Sequence, residues 1–221
     1  MNLPSNTVLL GNVGPPTSAG RIGKNRGVAY TDMPFEELLD TIAAETPAPG
    51  GGSVAAFVTE MAASLAAMAA RFAHDWDGAA GAVAQAETLR HRAAPLAAED
   101  AVAYENVLTA MRMPEELEPE VRNTLIGETL TRAAHVPLEI ARCAADVADL
   151  AAEIAVSGNP NLRGDAAAAA TFAASAARAS ANLVEINLAT LEGDHSIAQA
   201  REAVVNAERA MARALGASEP S

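Results

Sequence analysis

The chain has 221 residues, enough for one domain with a sizeable core that needs no disulfide or metal support. Half of its residues are hydrophobic but only 3% are aromatic, and the abundance of alanine, the best helix former, points to close-packed helices rather than a sheet. A formal charge of −13 argues against nucleic acid and anionic membrane surfaces as partners, and a single cysteine, Cys143, excludes an internal disulfide or a cysteine-rich zinc site.

Residues 1–31 contain Gly, Pro, Asn and Ser with no sustained period and read as an N-terminal arm, flexible or docked. Arg21, Lys24 and Arg26 make the arm basic; with no acid among residues 1–30, the remainder carries −16. Met1 to Leu10 lack the basic-then-apolar pattern of a signal peptide, so the expected compartment is the cytoplasm.

A helical domain is predicted over residues 32–221. Asp32 is placed to cap its first helix, Pro34 suits the first turn, and Glu36 and Glu37 favour the positive end. Phe35, Leu38, Leu39, Ile42 and Ala43 then fall on one helical face. Thr46 to Gly52, with two prolines and three consecutive glycines, must break that helix. A second helix runs from Ser53 to about Phe72. Gly51 to Ala70 carries one charge, Glu60, but it is rich in small residues and Arg71 follows, which favours a buried helix over a membrane span.

After the polar connection His74-Asp75-Trp76-Asp77-Gly78, helical sequence extends from Ala79 to Met111, with Pro95 kinking or splitting it. Met113-Pro114 to Glu118-Pro119 is a second break. The next helix spans Pro119 to Val156, with a kink at Pro137. Ser157 to Gly164 forms a loop, and Asp165 is placed to cap a helix reaching about Leu191. Gly193 ends it, and Asp194 can cap a last helix to about Leu215. The pattern is all-α, a single-domain bundle of five to seven mostly long helices.

Three segments have a composition suited to chemistry, and each has a structural alternative. Gly50-Gly51-Gly52-Ser53 before a helix lets the backbone approach a ligand and offers free N–H groups, or it is a tight turn with Ser53 as N-cap. It follows a helix and lacks a Walker lysine, so nucleotide phosphate is not favoured. Asp100 and Tyr104 lie one turn apart on a helix, where a buried carboxyl serves as general acid or base and an outward one is only solvated. Asn159, Asn161, Arg163 and Asp165 form either a polar binding loop or a turn followed by a cap. Asn182, Glu185 and Asn187 interrupt a later apolar helix, with the first two on a shared face. The four histidines lie on different segments without metal-ligand spacing, so no metal site is expected.

Together these segments resemble the formiminotetrahydrofolate cyclodeaminase and methenyltetrahydrofolate cyclohydrolase family. Thr46 to Ala56 resembles its glycine-rich signature, and Asp100-Ala101-Val102-Ala103-Tyr104 a second block. His135-Val136-Pro137-Leu138, Gly158-Asn159-Pro160-Asn161 with Asp165, and Asn182 to Leu188 resemble three more, in order. The resemblance implies an all-α fold of antiparallel helices, a homodimer or an assembly of dimers, and a tetrahydrofolate-type substrate with no further cofactor. It implies Asp100 as the acid/base, with Tyr104 positioning it. Gly50, Gly51, Gly52, Ser53, Asn161, Asp165 and Asn187 would line the pocket.

The activities implied are hydrolysis of 5,10-methenyltetrahydrofolate to the 10-formyl form, or ring closure of 5-formiminotetrahydrofolate with ammonia release. One alternative is a diverged enzyme of the same fold performing cyclisation, dehydration or deamination on a non-folate molecule, cationic ones included. It is motivated by acids at residues 74–77 and 113–116, expected near the pocket rim, where relatives carry basic residues. The other is a non-catalytic helical module, for which Asp100 would face solvent with no cavity beside it.

Overall fold

The computed structural model describes residues 30–112, 118–189 and 195–216. A 3-10 turn, Tyr30–Asp32, leads into α1 (Phe35–Ala43), α2 (Gly51–Arg71), α3 (Ala79–Ala93), α4 (Leu96–Met111) and α5 (Pro119–Ser157). A second 3-10 turn, Pro160–Leu162, precedes α6 (Arg163–Asn187), and α7 (His195–Leu215) follows. No strand occurs among the described residues.

The long α5 packs against α6 and α7, and α2 lies against α3, α4, α5 and α6. Alanine makes this possible. Ala62, Ala66 and Ala70 of α2, Ala141, Ala144, Ala148 and Ala151 of α5, and Ala166, Ala170, Ala173 and Ala177 of α6 are all fully buried. Their spacing of three and four places each set on one helical stripe, and side chains this small let helix axes approach closely. Each alanine removes little area from water, so cohesion rests on many short contacts. The apolar helix Gly51–Arg71 is long enough to cross a membrane, but most of it is buried inside the bundle.

Charge pairs on the outside tie neighbouring helices together. Arg92 of α3 reaches Glu139 and Asp146 of α5 at 3.2 and 2.7 Å, and Arg213 of α7 reaches Asp149 of α5 at 2.8 Å. Arg178 of α6 pairs with Glu208 of α7. Exposed pairs of this kind contribute about 0–1 kcal/mol each, so they favour a register more than they stabilise the bundle.

Several boundaries differ from the sequence expectation. Pro95 splits the long segment into α3 and α4, whereas Pro137 stays inside an uninterrupted α5 of 39 residues. Asp32 lies in the 3-10 turn, and α1 starts after Pro34 without a side-chain cap. Helix α2 begins at Gly51, so Ser53 is its third residue and not its cap. Helix α6 begins at Arg163, placing Asp165 in the first turn, and ends at Asn187 rather than near Leu191. Gly193, Asp194 and Met113 to Leu117 lie outside the described residues.

Tyr30, assigned to the arm from sequence, is buried in the core. Its ring meets Phe57 of α2 edge-on at a centroid distance of 5.8 Å, so the domain's packed core includes Tyr30 of that segment.

Candidate active site

The chain enters α2 through Gly50 in an extended conformation (φ −109°, ψ −159°), and no side chain of that segment caps the helix. The first N–H groups of any α-helix lack internal partners. Here a residue from another helix supplies the acceptor: Asp100, in the first half of α4, receives hydrogen bonds from the Ser53 backbone N–H and from its hydroxyl. The Ser53 Oγ–Asp100 Oδ2 distance is 3.0 Å. Gly52 allows this approach, because a Cβ there would overlap the Asp100 carboxyl. The glycine run therefore holds an acid of the protein itself at the positive end of α2.

Burial raises the Asp100 pKa above its ordinary value, against the opposing pull of the two Ser53 hydrogen bonds. The carboxyl faces a cavity of about 290 Å3. Gly50, Gly51, Gly52, Pro47 and Ala48 form one wall. Ala103, Tyr104 and Val107 of α4, Ala133 and Pro137 of α5, and Leu183, Ile186 and Asn187 of α6 complete it. Tyr104 sits one turn beyond Asp100, and desolvation raises its pKa, keeping the phenol protonated as a donor. Pro137 has no N–H, which leaves the Ala133 carbonyl without its usual donor beside the cavity.

The expected site residues thus separate into three groups. Asp100, Tyr104, Gly50, Gly51, Gly52 and Asn187 line one cavity. Ser53 does not line it; fully buried, it stands behind Asp100 and also donates to the Ala97 carbonyl at 2.9 Å. Asn161 and Asp165 are elsewhere. The Asn159 amide donates to the Phe72 carbonyl, at the far end of α2, and its oxygen accepts from the Asn161 N–H. With α2 21 residues long, that loop lies about 30 Å from Asp100 in the same chain. Residues 74–77 share that far end and do not rim the cavity.

Sequence reasoning did not assign Val107, Ala133, Leu183 and Ile186 to the site, although Leu183 and Ile186 lie within the Asn182 to Leu188 block; their further signal is helical spacing from the polar residues they accompany. It also missed Tyr30, whose pKa is raised by burial and by the nearby charges of Glu105 and Asp100. Asn182 is exposed, and Glu185 pairs with Arg201 at 2.7 Å. Buried Cys143 contacts the Leu89 carbonyl, and burial pushes its thiol up to about 11, so it remains protonated at neutral pH. Among the described residues, no three His, Cys, Asp or Glu side chains converge in a metal-binding group.

A carboxyl held between a helix start and a cavity, with a phenol one turn away, is the arrangement of a proton-transfer site in a helical enzyme. The chain belongs to the formiminotransferase-cyclodeaminase family, whose model matches residues 34–207. It is 31% identical over 176 residues to a methenyltetrahydrofolate cyclohydrolase of Methylorubrum extorquens, covering 76% of this chain and 84% of that one. It is 28% identical to the formimidoyltransferase-cyclodeaminase of Sus scrofa, covering 77% of this chain but 33% of that longer protein. The crystal structure of formiminotetrahydrofolate cyclodeaminase from Thermotoga maritima matches with a TM-score of 0.75 and 26% identity. That match covers 84% of this chain and 96% of the other.

Proposed function

We propose that this protein is a folate one-carbon enzyme that hydrolyses 5,10-methenyltetrahydrofolate to 10-formyltetrahydrofolate, with Asp100 as its acid/base. The observation that carries the reading is a largely buried Asp100 at the wall of a cavity, in a chain similar along most of its length to a cyclohydrolase. The non-catalytic module would need this carboxyl in solvent, which is not where it lies. The diverged-enzyme alternative loses its motive at residues 74–77, which are remote from the cavity.

The chemistry suits the site. The methenyl carbon sits in an amidinium-like cation, which an ionised Asp100 stabilises electrostatically. Water adds to that carbon as Asp100 takes a proton. The carbon–N5 bond then breaks, its electron pair passes to N5, and the protonated carboxyl supplies the N5 proton. The adduct hydroxyl loses its proton as the formyl C=O forms, so one proton leaves per turnover. Tyr104 and Asn187 supply polar groups beside an otherwise largely apolar wall. A cavity of about 290 Å3, near the lower end of small-molecule sites, suits the reacting end of the substrate and leaves its glutamate tail outside.

Formiminotetrahydrofolate cyclodeamination is the second reading, favoured by the structural match over nearly the whole of a stand-alone cyclodeaminase. There N10 attacks the formimino carbon, and the same carboxyl protonates departing ammonia. The proposal also includes a cytoplasmic homodimer that uses no cofactor beyond its substrate.

The test is loss of the near-ultraviolet absorbance of 5,10-methenyltetrahydrofolate above its spontaneous rate. Acceleration by the unaltered protein and its loss, by about a hundredfold or more, in Asp100→Asn are expected. No acceleration by well-folded protein, with ammonia release from 5-formiminotetrahydrofolate, would transfer the assignment to the second reading. Full activity in Asp100→Asn would remove the proposed acid/base.

A further inference from the structure

The mechanism above asks one largely buried carboxyl to be a base and then an acid within a single turnover. Changing protonation state there is costly if either state leaves a buried polar atom without a partner. The group behind Asp100 bears on this. Ser53 is fully buried, and its hydroxyl oxygen lies 3.0 Å from Asp100 Oδ2 and 2.9 Å from the Ala97 carbonyl oxygen. A hydroxyl has one proton to give and lone pairs with which to accept. Two acceptors therefore compete for that proton whenever Asp100 is ionised.

We propose that Ser53 is a positioning residue whose hydroxyl serves Asp100 in both protonation states. When Asp100 is ionised, Ser53 donates to Oδ2, and the Ala97 carbonyl keeps its bond within α4. When Asp100 has taken the proton from water, Oδ2–H donates to Ser53 Oγ, whose own proton turns to the Ala97 carbonyl. One rotation about the C–O bond interconverts the two patterns, and no heavy atom moves. The Ser53 backbone N–H can only donate, and its bond favours the ionised form, whereas the hydroxyl can donate or accept.

The remaining titratable neighbours do not offer this exchange. Tyr30, from the turn before α1, feels the charges of Asp100 and of Glu105 of α4. Tyr104 has a phenol that stays protonated. The α5 and α6 residues lining the cavity are apolar, apart from the neutral Asn187.

This inference rests on Asp100 being the acid/base, so its test has a readout independent of turnover. Infrared difference spectra of the ligand-free protein across a pH series follow the C=O stretch of protonated carboxyls; the Asp100 band is the one missing in Asp100→Asn. In Ser53→Ala the carboxylate loses a donor, so the Asp100 midpoint moves to higher pH. Ser53→Thr keeps the hydroxyl and keeps the midpoint near that of the unaltered protein. With 5,10-methenyltetrahydrofolate, Ser53→Ala loses about tenfold or more in kcat with KM within about threefold, and its acidic limb moves upward. An unchanged midpoint in folded Ser53→Ala, or an equal shift in Ser53→Thr, would overturn the role. Failure of the unaltered protein to accelerate hydrolysis would sink the functional reading, while the infrared titration still decides whether Ser53 governs Asp100.

Discussion

Asp100 shows how one residue acquires a purpose from its surroundings. Its pKa is raised chiefly by burial, so on raising the pH the unfolded chain loses this proton before the folded one does. The neutral acid therefore favours the folded state fully below the ordinary carboxylate range, and that contribution is lost as pH rises through the folded value. Asp100→Asn carries no such charge. In thermal unfolding at about pH 4 and about pH 7, the midpoint of Asp100→Asn should move relative to the unaltered protein in the variant's favour at the higher pH. A constant difference would mean that the carboxyl titrates as it does in water. The sequence made Asp100 and Tyr104 visible as a pair one turn apart, because helical spacing is local. It could not show that Ser53, 47 positions earlier, faces the same carboxyl.

At the scale of helices, alanine stripes decide where α2, α5 and α6 meet. Ala170 of α6 is fully buried, whereas Ala80 of α3 is exposed. Ala170→Leu should overpack the bundle and cost about 1–3 kcal/mol in urea unfolding, while Ala80→Leu should stay within about 0.5 kcal/mol. Equal effects at both positions would mean that the interior has room to spare. The two prolines teach a related lesson. Pro95 ends one helix and begins another, with Ala94 and Pro95 both near helical dihedrals, while Pro137 is accommodated within α5. A proline removes a helical donor in either setting; which way the chain responds depends on what packs around it. The glycine run was legible as a loop before a helix. That the Ser53 N–H just after it meets Asp100 depends on α4 crossing that helix end, a contact that no local pattern encodes.

Across the whole molecule, one main core runs through α2, α3, α4, α5, α6 and α7, with smaller clusters at the cavity end. The only tryptophan, Trp76, packs against the main core beyond the far end of α2 from Asp100. Helical ellipticity and Trp76 fluorescence should therefore be lost in one coincident thermal transition; separate midpoints would show the two ends unfolding independently. The acidic body is unfavourable to phosphate backbones, but charge alone says nothing of which small molecule binds. By itself the sequence determined the all-α class, most helix positions, the family resemblance and the one-turn spacing of Asp100 and Tyr104, because periodicity, breakers and motif spacing act over a few residues. Only the tertiary structure decided that Asn187 joins Asp100 at one cavity, that Asn161 and Asp165 lie at the opposite end, and that Ser53 stands behind the acid. These are relations between helices far apart in the chain, and close packing of buried alanines, rather than local propensity, determines them.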